Sequence, residues 1–439
     1  MENHASGEAA LVKALGVRQL TAAIINTTVG AGIFVLPALV AQDMGAAAPL
    51  AFLICGAMMA LLAVTLAMAG SRVTRTGGIY AYVLAAFGPF VALLAGVLQW
   101  LSGIVAVSGV SAALLDQLAS VAPPFAAPAA RVATLAAILA ALAALNASGV
   151  RPGTRLIEGV TLAKLAPLAL FVTVGAFFVD PAALAWPGLP PGDAVARSVL
   201  LLIFAYSGVE VALAPSGEVR RPERTVPRAV FLGLAIITVL YVAVQVVAQG
   251  TLGPALAQST GAPLAAAAGR FLGTAGTTVL LLGAVCSMFG YLCGDMLSTP
   301  RSWYVLSRDG FLPAFLKHID PVTRAPRRAI WTHAIVVLGL ASSNTFEGLA
   351  IIANVALLTL FLLGCASALQ LARRGVVAVE APFAMRGAWL APVLAAALML
   401  WILSTATLRE FLWTAAVLAA ATVVYVIRMR RSREFRVEP

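Results

Sequence analysis

Long and almost uncharged apolar segments dominate this chain of 439 residues. A helix that crosses a lipid bilayer needs about 20 consecutive, mostly apolar residues, and short polar loops separate segments of that length here. We therefore predict an all-α polytopic membrane protein with twelve transmembrane helices, called spans 1–12 in chain order. The predicted spans cover 18–41, 47–70, 80–120, 129–148, 155–179, 195–218, 227–250, 272–300, 328–343, 346–372, 388–407 and 409–428.

The composition excludes other classes of protein. Hydrophobic residues make up 61% of the chain and charged residues only 11%, less than half the ~25% of an ordinary soluble domain. A porin-type barrel would need short alternating strands, which these runs do not show. We expect no metal centre and no bound cofactor. The cysteines lie inside apolar runs and are expected to be buried free thiols: Cys55, Cys286, Cys293 and Cys365.

The basic residues indicate membrane topology and not a nucleic-acid partner. With the N-terminus inside, 24 lysine and arginine residues fall in inner loops and tails. Only Arg131, Arg197, Arg270 and Arg409 fall outside. Because inner loops of membrane proteins are rich in these residues, we expect both termini in the cytoplasm and the chain in the plasma membrane, surrounded by lipid.

Two spans carry small residues where a transmembrane helix should be continuous. Span 1 contains Gly30-Ala31-Gly32 at its middle, and span 6 contains Ser207-Gly208-Val209. Glycine weakens a helix, and peptide groups freed inside a membrane must find partners. Breaks at matching positions of two repeats are typical of the binding sites of transporters. The two repeats in this chain would be spans 1–5 and 6–10. Close packing of small residues against a neighbouring helix is the alternative explanation.

The two predicted breaks carry opposite partial charges. Amide groups at a half-helix N-terminus near 30–32 favour an anion such as a carboxylate. Carbonyl groups freed at 204–208 can accept hydrogen bonds from an ammonium group. Together they suit an α-amino acid, although this geometry also permits other ligands.

Four motifs resemble those of the amino acid–polyamine–organocation transporters. They lie at residues 30–37 (GAGIFVLP), 76–82 (TGGIYAY), 218–229 (EVRRPERTVPRA) and 307–313 (SRDGFLP). The resemblance covers roughly residues 18–430 and implies the LeuT-like fold of 5+5 inverted repeats with two further helices. It implies a cytoplasmic tail at 1–17, repeats at 18–179 and 195–372, the last two spans at 388–428, and a second tail at 429–439.

The resemblance also implies a function. It indicates a secondary transporter, not an enzyme, that moves amino acids or related amines by alternating access in a bacterial inner membrane, as a monomer or homodimer. Proton symport and exchange both remain open. The arginine/agmatine antiporters of the family are similar at Trp100 and at residues 87–90 (FGPF), so an exchanger of cationic amino acids or their decarboxylated amines is an alternative. A non-transporting sensor with the same fold is another.

The substrate site implied by the resemblance lies on spans 1, 3 and 6. Phe204 matches an aromatic gate of the antiporters, although a lipid-facing or core position is the commoner use of a phenylalanine. Val107 replaces a polar residue of their side-chain pocket, which favours an uncharged substrate side chain. The expected substrate-binding residues are Thr28, Gly30, Ala31, Gly32, Ser102, Gly103, Val107, Phe204, Ala205, Ser207 and Gly208.

Three ionisable residues are expected to couple transport to protons. Lys164 lies about ten residues into span 5, where a charge is costly and burial disfavours the charged form. The resemblance implies that it replaces the cation of sodium-coupled relatives; snorkelling to the inner surface is the alternative. Glu210 would respond to pH or brace span 6. Asp295 would bind a cationic group, pair with Lys164 or accept backbone donors.

Two further expectations concern the rest of the chain. The stretch 251–270 has no sustained apolar run and is predicted to be an ordered external loop. His4, His318 and His333 are expected near or outside the inner surface, away from cysteines and carboxylates. The sequence therefore offers neither a catalytic cluster nor a nucleotide-binding motif.

Overall fold

The computed structural model describes residues 16–73, 78–148, 154–186, 188–208, 222–308, 312–323, 325–376 and 387–434. Within these ranges the regular structure is helical. The α-helices are α1 Val17–Thr28, α2 Gly32–Met44, α3 Ala48–Gly70, α4 Ile79–Phe87, α5 Pro89–Val121, α6 Pro128–Ala147, α7 Thr154–Gly175, α8 Gly192–Tyr206, α9 Pro222–Leu252, α10 Pro263–Arg308, α11 Arg327–Ser343, α12 Phe346–Arg373, α13 Leu390–Leu403 and α14 Leu408–Glu434.

Helices of membrane-spanning length and apolarity make up much of the described chain. Seven helical stretches are long and apolar enough to cross a bilayer, and two shorter apolar helices add to them. The chain is thus a helical polytopic membrane protein, as predicted from its apolar runs.

Glycine residues divide two of the predicted spans. Span 1 consists of α1 and α2, separated by three non-helical residues at 29–31. Span 3 consists of α4 and α5, which meet at Gly88 with a φ of 84°. Such a φ is disfavoured for any residue with a side chain, so glycine permits the turn. Span 6 begins as α8, and its predicted continuation over 209–218 lies outside the described residues.

The prediction of an external loop over 251–270 was wrong for much of that stretch. A 3-10 helix covers Gly253–Gln258, and α10 begins at Pro263. Alanine has the highest helix propensity, and Leu264, Ala265, Ala267 and Ala268 are buried. The helix changes direction at Gly273, whose φ is 61°.

The core lies where α2, α8 and α12 pass through the bundle. Every residue of α2 from Gly32 to Ala41 is buried, as are all residues of α8 from Val199 to Tyr206. Helix α12 packs against α3, α4, α5, α8 and α13. A helix that is apolar on all faces belongs inside a bundle, so these helices lie at the centre, while α14 is mostly exposed.

The loop before α11 is fixed by one carboxylate. Asp320 accepts hydrogen bonds from the backbone N–H and hydroxyl of Thr323, from the N–H of Val322 and from Arg327. These donors, above all the Thr323 N–H, lower the pKa of Asp320 to about 2. The four cysteines are free thiols. Cys55 and Cys365 are buried as expected, whereas Cys286 and Cys293 are only partly buried, so the expectation was wrong for these two.

Candidate functional site

The interruption between α1 and α2 frees backbone groups of both kinds. The last bond of α1 runs from the N–H of Val29 to the carbonyl of Ile25, so the carbonyls after Ile25 have no partner within the helix. Among the described residues, no side chain caps the N-terminus of α2. The break therefore presents carbonyl oxygens on one side and amide groups on the other.

Lys164 contacts the carbonyl side of this break. Its side chain is buried, and Nζ donates a hydrogen bond of 2.5 Å to the carbonyl of Asn26. The C-terminus of a helix carries partial negative charge, which stabilises an ammonium group there. Lys164 thus points into the bundle, and the snorkelling alternative does not describe its position.

Two glycines bring α8 into direct contact with the break. A Cβ at Gly32 would lie 3.0 Å from Cα and Cβ of Ala205. A Cβ at Gly208 would lie 2.8 Å from the carbonyl oxygen of Thr27, and Gly208 has a φ of 112°. A Cβ at either position would crowd neighbouring backbone atoms, so the α1–α2 break and the end of α8 meet backbone against backbone.

Tyr241 of α9 connects the α1–α2 break to the end of α8. Its hydroxyl lies 3.1 Å from the carbonyl oxygen of Thr28 and 3.0 Å from that of Ala205, and donates its proton to this pair. Sequence reasoning missed this residue. The available signal was a tyrosine within an apolar span, since a buried phenol hydroxyl normally has a hydrogen-bond partner.

Some of the carbonyls predicted to be free at 204–208 already accept hydrogen bonds. The Ser207 hydroxyl donates to the carbonyl of Phe204 at 2.8 Å, and the Thr27 hydroxyl donates to that of Gly208 at 3.2 Å. In the described part of the chain, the carbonyls of Tyr206 and Ser207 have no assigned donor.

Open space adjoins two of the predicted site glycines. Among the described residues, a Cβ at Gly103 would meet no atom within 4 Å, and one at Gly30 would meet only the Thr28 carbonyl oxygen, at 3.8 Å. Ser102 and Val107 are buried on the same helix as Gly103. The buried hydroxyl of Thr28 has no hydrogen-bond partner among the described residues, so a polar group remains for a ligand to satisfy.

Phe204 packs near the end of α8 against a second aromatic ring. Its ring lies edge-to-face on Phe346, the first residue of α12, with the centroids 5.3 Å apart. Both residues are buried. Phe204 is thus part of an aromatic pair beside the break, a partner that the sequence did not predict.

The environments of Asp295 and His333 differ from those predicted. Asp295 pairs with Nε2 of His333 at 2.6 Å and accepts a hydrogen bond of 2.6 Å from Thr299. The expectation that His333 lies away from carboxylates was wrong, because its fully buried imidazole contacts Asp295. It lies six residues after Arg327, roughly 9 Å along α11, and faces α10. Glu210 lies outside the described residues.

A separate cavity of about 680 Å³ opens at the ends of α2 and α8 remote from the break. Asp43, Asp193 and Arg197 line it, together with residues of α13 and the turn after it. Arg197 forms a two-point ion pair with Glu410 at 3.1 and 3.2 Å. This cavity does not include the predicted substrate residues.

Comparison with known proteins assigns the family. The model of the amino acid permease family matches residues 15–431. The chain belongs to this family. Membership confirms the resemblance to the amino acid–polyamine–organocation superfamily that the four motifs indicated. The permease is 28% identical to the methylthioribose transporter of Bacillus subtilis (strain 168) over 411 residues, which cover 90% of this chain and 88% of that protein.

The names of other relatives specify different substrates. The branched-chain amino acid permease BcaP of Bacillus subtilis (strain 168) is 26% identical to the permease, with 82% of this chain and 80% of the relative aligned. The vacuolar cationic amino acid transporter 4 of Arabidopsis thaliana is 26% identical over 75% of this chain, which spans 58% of that longer protein. These relatives share transport of small molecules and differ in what they carry.

Proposed function

We propose that the permease is a sodium-independent secondary transporter that moves an α-amino acid by alternating access, as a proton symporter or an exchanger. The observation that carries the proposal is the direct contact between the α1–α2 break and the end of α8. Gly32 lies against Ala205 and Gly208 against Thr27. Unwound backbone at membrane depth is expected where it holds a ligand.

The polarity of this junction suits both charges of an amino acid. The uncapped N-terminus of α2 favours the carboxylate, while the carbonyls of Tyr206 and Ser207 are acceptors for the ammonium group. Thr28 supplies a buried hydroxyl that lacks a partner among the described residues. In this proposal Gly30, Ala31 and Gly32 contact the carboxylate, and Ala205, Ser207 and Gly208 form the opposite wall.

Lys164 supports sodium independence and proton coupling. Its ammonium group occupies the carbonyl end of α1, where a bound cation would otherwise be stabilised by the helix dipole. A lysine that is charged in one access state and neutral in another carries a proton in each cycle. Transport assays distinguish whether that proton drives symport or regulates exchange.

The substrate side chain is proposed to be uncharged. Gly103 borders open space and Val107 is an apolar neighbour on the same helix. Transport of cationic amino acids or their amines is the second candidate, favoured by the Arabidopsis relatives. The cationic candidate depended partly on Asp295 as a partner for the substrate. One oxygen of Asp295 already accepts a hydrogen bond from Thr299 and the other faces His333, and these contacts weaken this candidate.

The proposal includes the twelve-span architecture with inverted repeats. Helices α1–α7 would form the first repeat and α8–α12 the second, with an interruption in the first span of each. Both termini would face the cytoplasm of a bacterial inner membrane. The permease would act as a monomer or homodimer.

Uptake by purified permease in proteoliposomes tests the proposal. Radiolabelled neutral amino acids, arginine, agmatine and a diamine are compared with sodium and with choline outside, and protein-free liposomes give the background. We expect saturable uptake of a neutral amino acid that is unchanged in choline and stimulated by an inward proton gradient or by internal substrate. A strict sodium requirement, or uptake of amines alone, contradicts the proposal.

A further inference from the structure

The first turn of α12 lies between two helices of the proposed substrate site. Phe346 begins α12 and is only 3% exposed. On one side its ring lies edge-to-face on Phe204 of α8, with the centroids 5.3 Å apart. On the other side, a Cβ at Gly109 of α5 would lie 3.6 Å from Cδ2 of Phe346. The Phe346 ring therefore fills the space between α8 and α5.

The contact with Phe204 places Phe346 close to the junction of α2 and α8. Phe204 is followed by Ala205, whose Cα and Cβ would lie 3.0 Å from a Cβ at Gly32. The amide groups at the start of α2 are the proposed site of the carboxylate, and they begin at this junction. A ligand held there by its carboxylate thus has the aromatic pair of Phe204 and Phe346 beside it.

The contact with Gly109 places Phe346 over the proposed side-chain subsite of α5. Ser102 and Gly109 are seven residues apart, so they lie on nearly the same face of the helix, about 10 Å apart along its axis. Gly103, next to Ser102, borders open space in the described part of the chain. Val107 lies between these two turns and is buried. Phe346 therefore forms one end of the space that these α5 residues line.

Two hydrogen-bonded contacts fix the position of the Phe346 ring. The hydroxyl of Thr345 accepts a hydrogen bond of 3.2 Å from the N–H of Gly348, which caps the first turn of α12. The amide of Asn354, which is buried, donates to two successive carbonyls of α8 at 2.7 and 3.3 Å. The first contact sets the turn that carries Phe346, and the second holds α12 against α8. The ring is thus a fixed wall of the site.

We propose that Phe346 determines substrate specificity by limiting the size of the substrate side chain. The residues around this end of the site are buried and apolar, namely Val107, Val110, Phe204 and Phe346. Such a subsite accepts aliphatic side chains such as those of alanine, valine and leucine. The Phe346 ring occupies the space that an aromatic side chain would need. This inference rests on the proposed transport of an uncharged amino acid and specifies its substrate class.

Competition binding to the purified permease tests the assignment. Radiolabelled leucine is displaced by alanine, leucine and phenylalanine in the wild type, in Phe346→Leu and in Phe361→Leu. Phe361 is a fully buried residue of the same helix, fifteen residues further on or about 22 Å along the axis, so it controls for the loss of a buried ring. We expect Phe346→Leu to improve the affinity for phenylalanine relative to alanine by roughly tenfold or more. Phe361→Leu should keep the wild-type ratio.

A second variant should shift the specificity in the opposite direction. A Cβ at Gly109 would lie 3.4 Å from Cβ of Leu349 and 3.6 Å from the Phe346 ring. Both are ordinary contacts, so Gly109→Ala should fold even if Phe346→Leu does not. The added methyl group fills the space into which the ring can turn when a longer side chain binds. We expect Gly109→Ala to weaken leucine severalfold relative to alanine.

The outcomes separate this inference from the proposed function. An unchanged ratio of affinities in Phe346→Leu, or in Gly109→Ala if the first variant does not fold, overturns the role of Phe346 while leaving transport intact. An equal shift in Phe361→Leu, or wild-type protein that binds phenylalanine as tightly as leucine, also overturns it. The expected shifts in binding, in a permease that takes up no substrate in proteoliposomes, contradict the proposed function but not the subsite.

Discussion

At the scale of single residues, two neighbouring glycines of the break have different roles. A Cβ at Gly32 would press on Ala205, whereas a Cβ at Gly30 would enter open space. Both glycines belong to one motif, and the sequence predicted the same role for them. Their difference depends on which face of the break meets α8, which is a property of the assembled helices.

Leucine at position 30 is therefore expected to block the ligand without disturbing the fold. Gly30→Leu should express and melt like wild type but lose substrate binding, because its side chain fills the space beside the amide groups of α2. Gly339→Leu is a control, since a Cβ at Gly339 would also meet no atom of the described part of the chain within 4 Å. Gly32→Ala should lower the unfolding free energy by about 1–3 kcal/mol through overpacking. Thermal melts and equilibrium binding measure both effects, and unchanged affinity in Gly30→Leu would contradict the site.

Removal of Lys164 should separate binding from coupling. The backbone groups that hold the ligand remain in Lys164→Ala, so affinity should stay within a few-fold of wild type. The carbonyl of Asn26 loses its buried cationic donor, so uptake should fall strongly or lose its pH dependence. Lys317→Ala, at an exposed lysine, is the control. Normal pH-dependent uptake in Lys164→Ala would remove this residue from the mechanism.

At the scale of helices, the sequence predicts interruptions better than it predicts contacts. Glycines mark the break after α1 to within a residue, because few other residues weaken a transmembrane helix so strongly. The turn at Gly88 was not predicted, since the apolar pattern continues through it. The alanine-rich start of α10 was assigned to a loop because its hydropathy is modest. Tyr241 and His333 gain their roles from neighbours on other helices, which no local pattern encodes.

The bridge made by Tyr241 is expected to set the geometry between α1 and α8. Tyr241→Phe removes the donor to Thr28 and Ala205, and should cost about 1 kcal/mol of unfolding free energy with a larger loss of transport. Tyr206→Phe is a matched control, because that buried hydroxyl donates to Phe52 and not to the break. Melting temperatures and uptake rates of the two variants give the comparison. Equal loss of transport in both would show that Tyr241 has no special role at the break.

At the scale of the whole molecule, the distribution of charge predicts the orientation in the membrane. Gln258 lies in the 3-10 helix after α9, and His318 lies in the segment before α11; both are exposed. In a cysteine-free background, Gln258→Cys should react with a membrane-impermeant maleimide on intact cells, and His318→Cys only after permeabilisation. The opposite pattern would invert the predicted topology.

The central claim is that one ligand uses both sides of the junction between α2 and α8. The most direct test is equilibrium binding to the purified permease of a transported amino acid, its methyl ester, its N-acetyl derivative and its decarboxylated amine. The account predicts that all three derivatives bind at least tenfold more weakly, roughly 1.4 kcal/mol, because each loses the carboxylate or the ammonium group. A decarboxylated amine that binds as tightly as the amino acid would contradict the assignment of the α2 amide groups to a carboxylate.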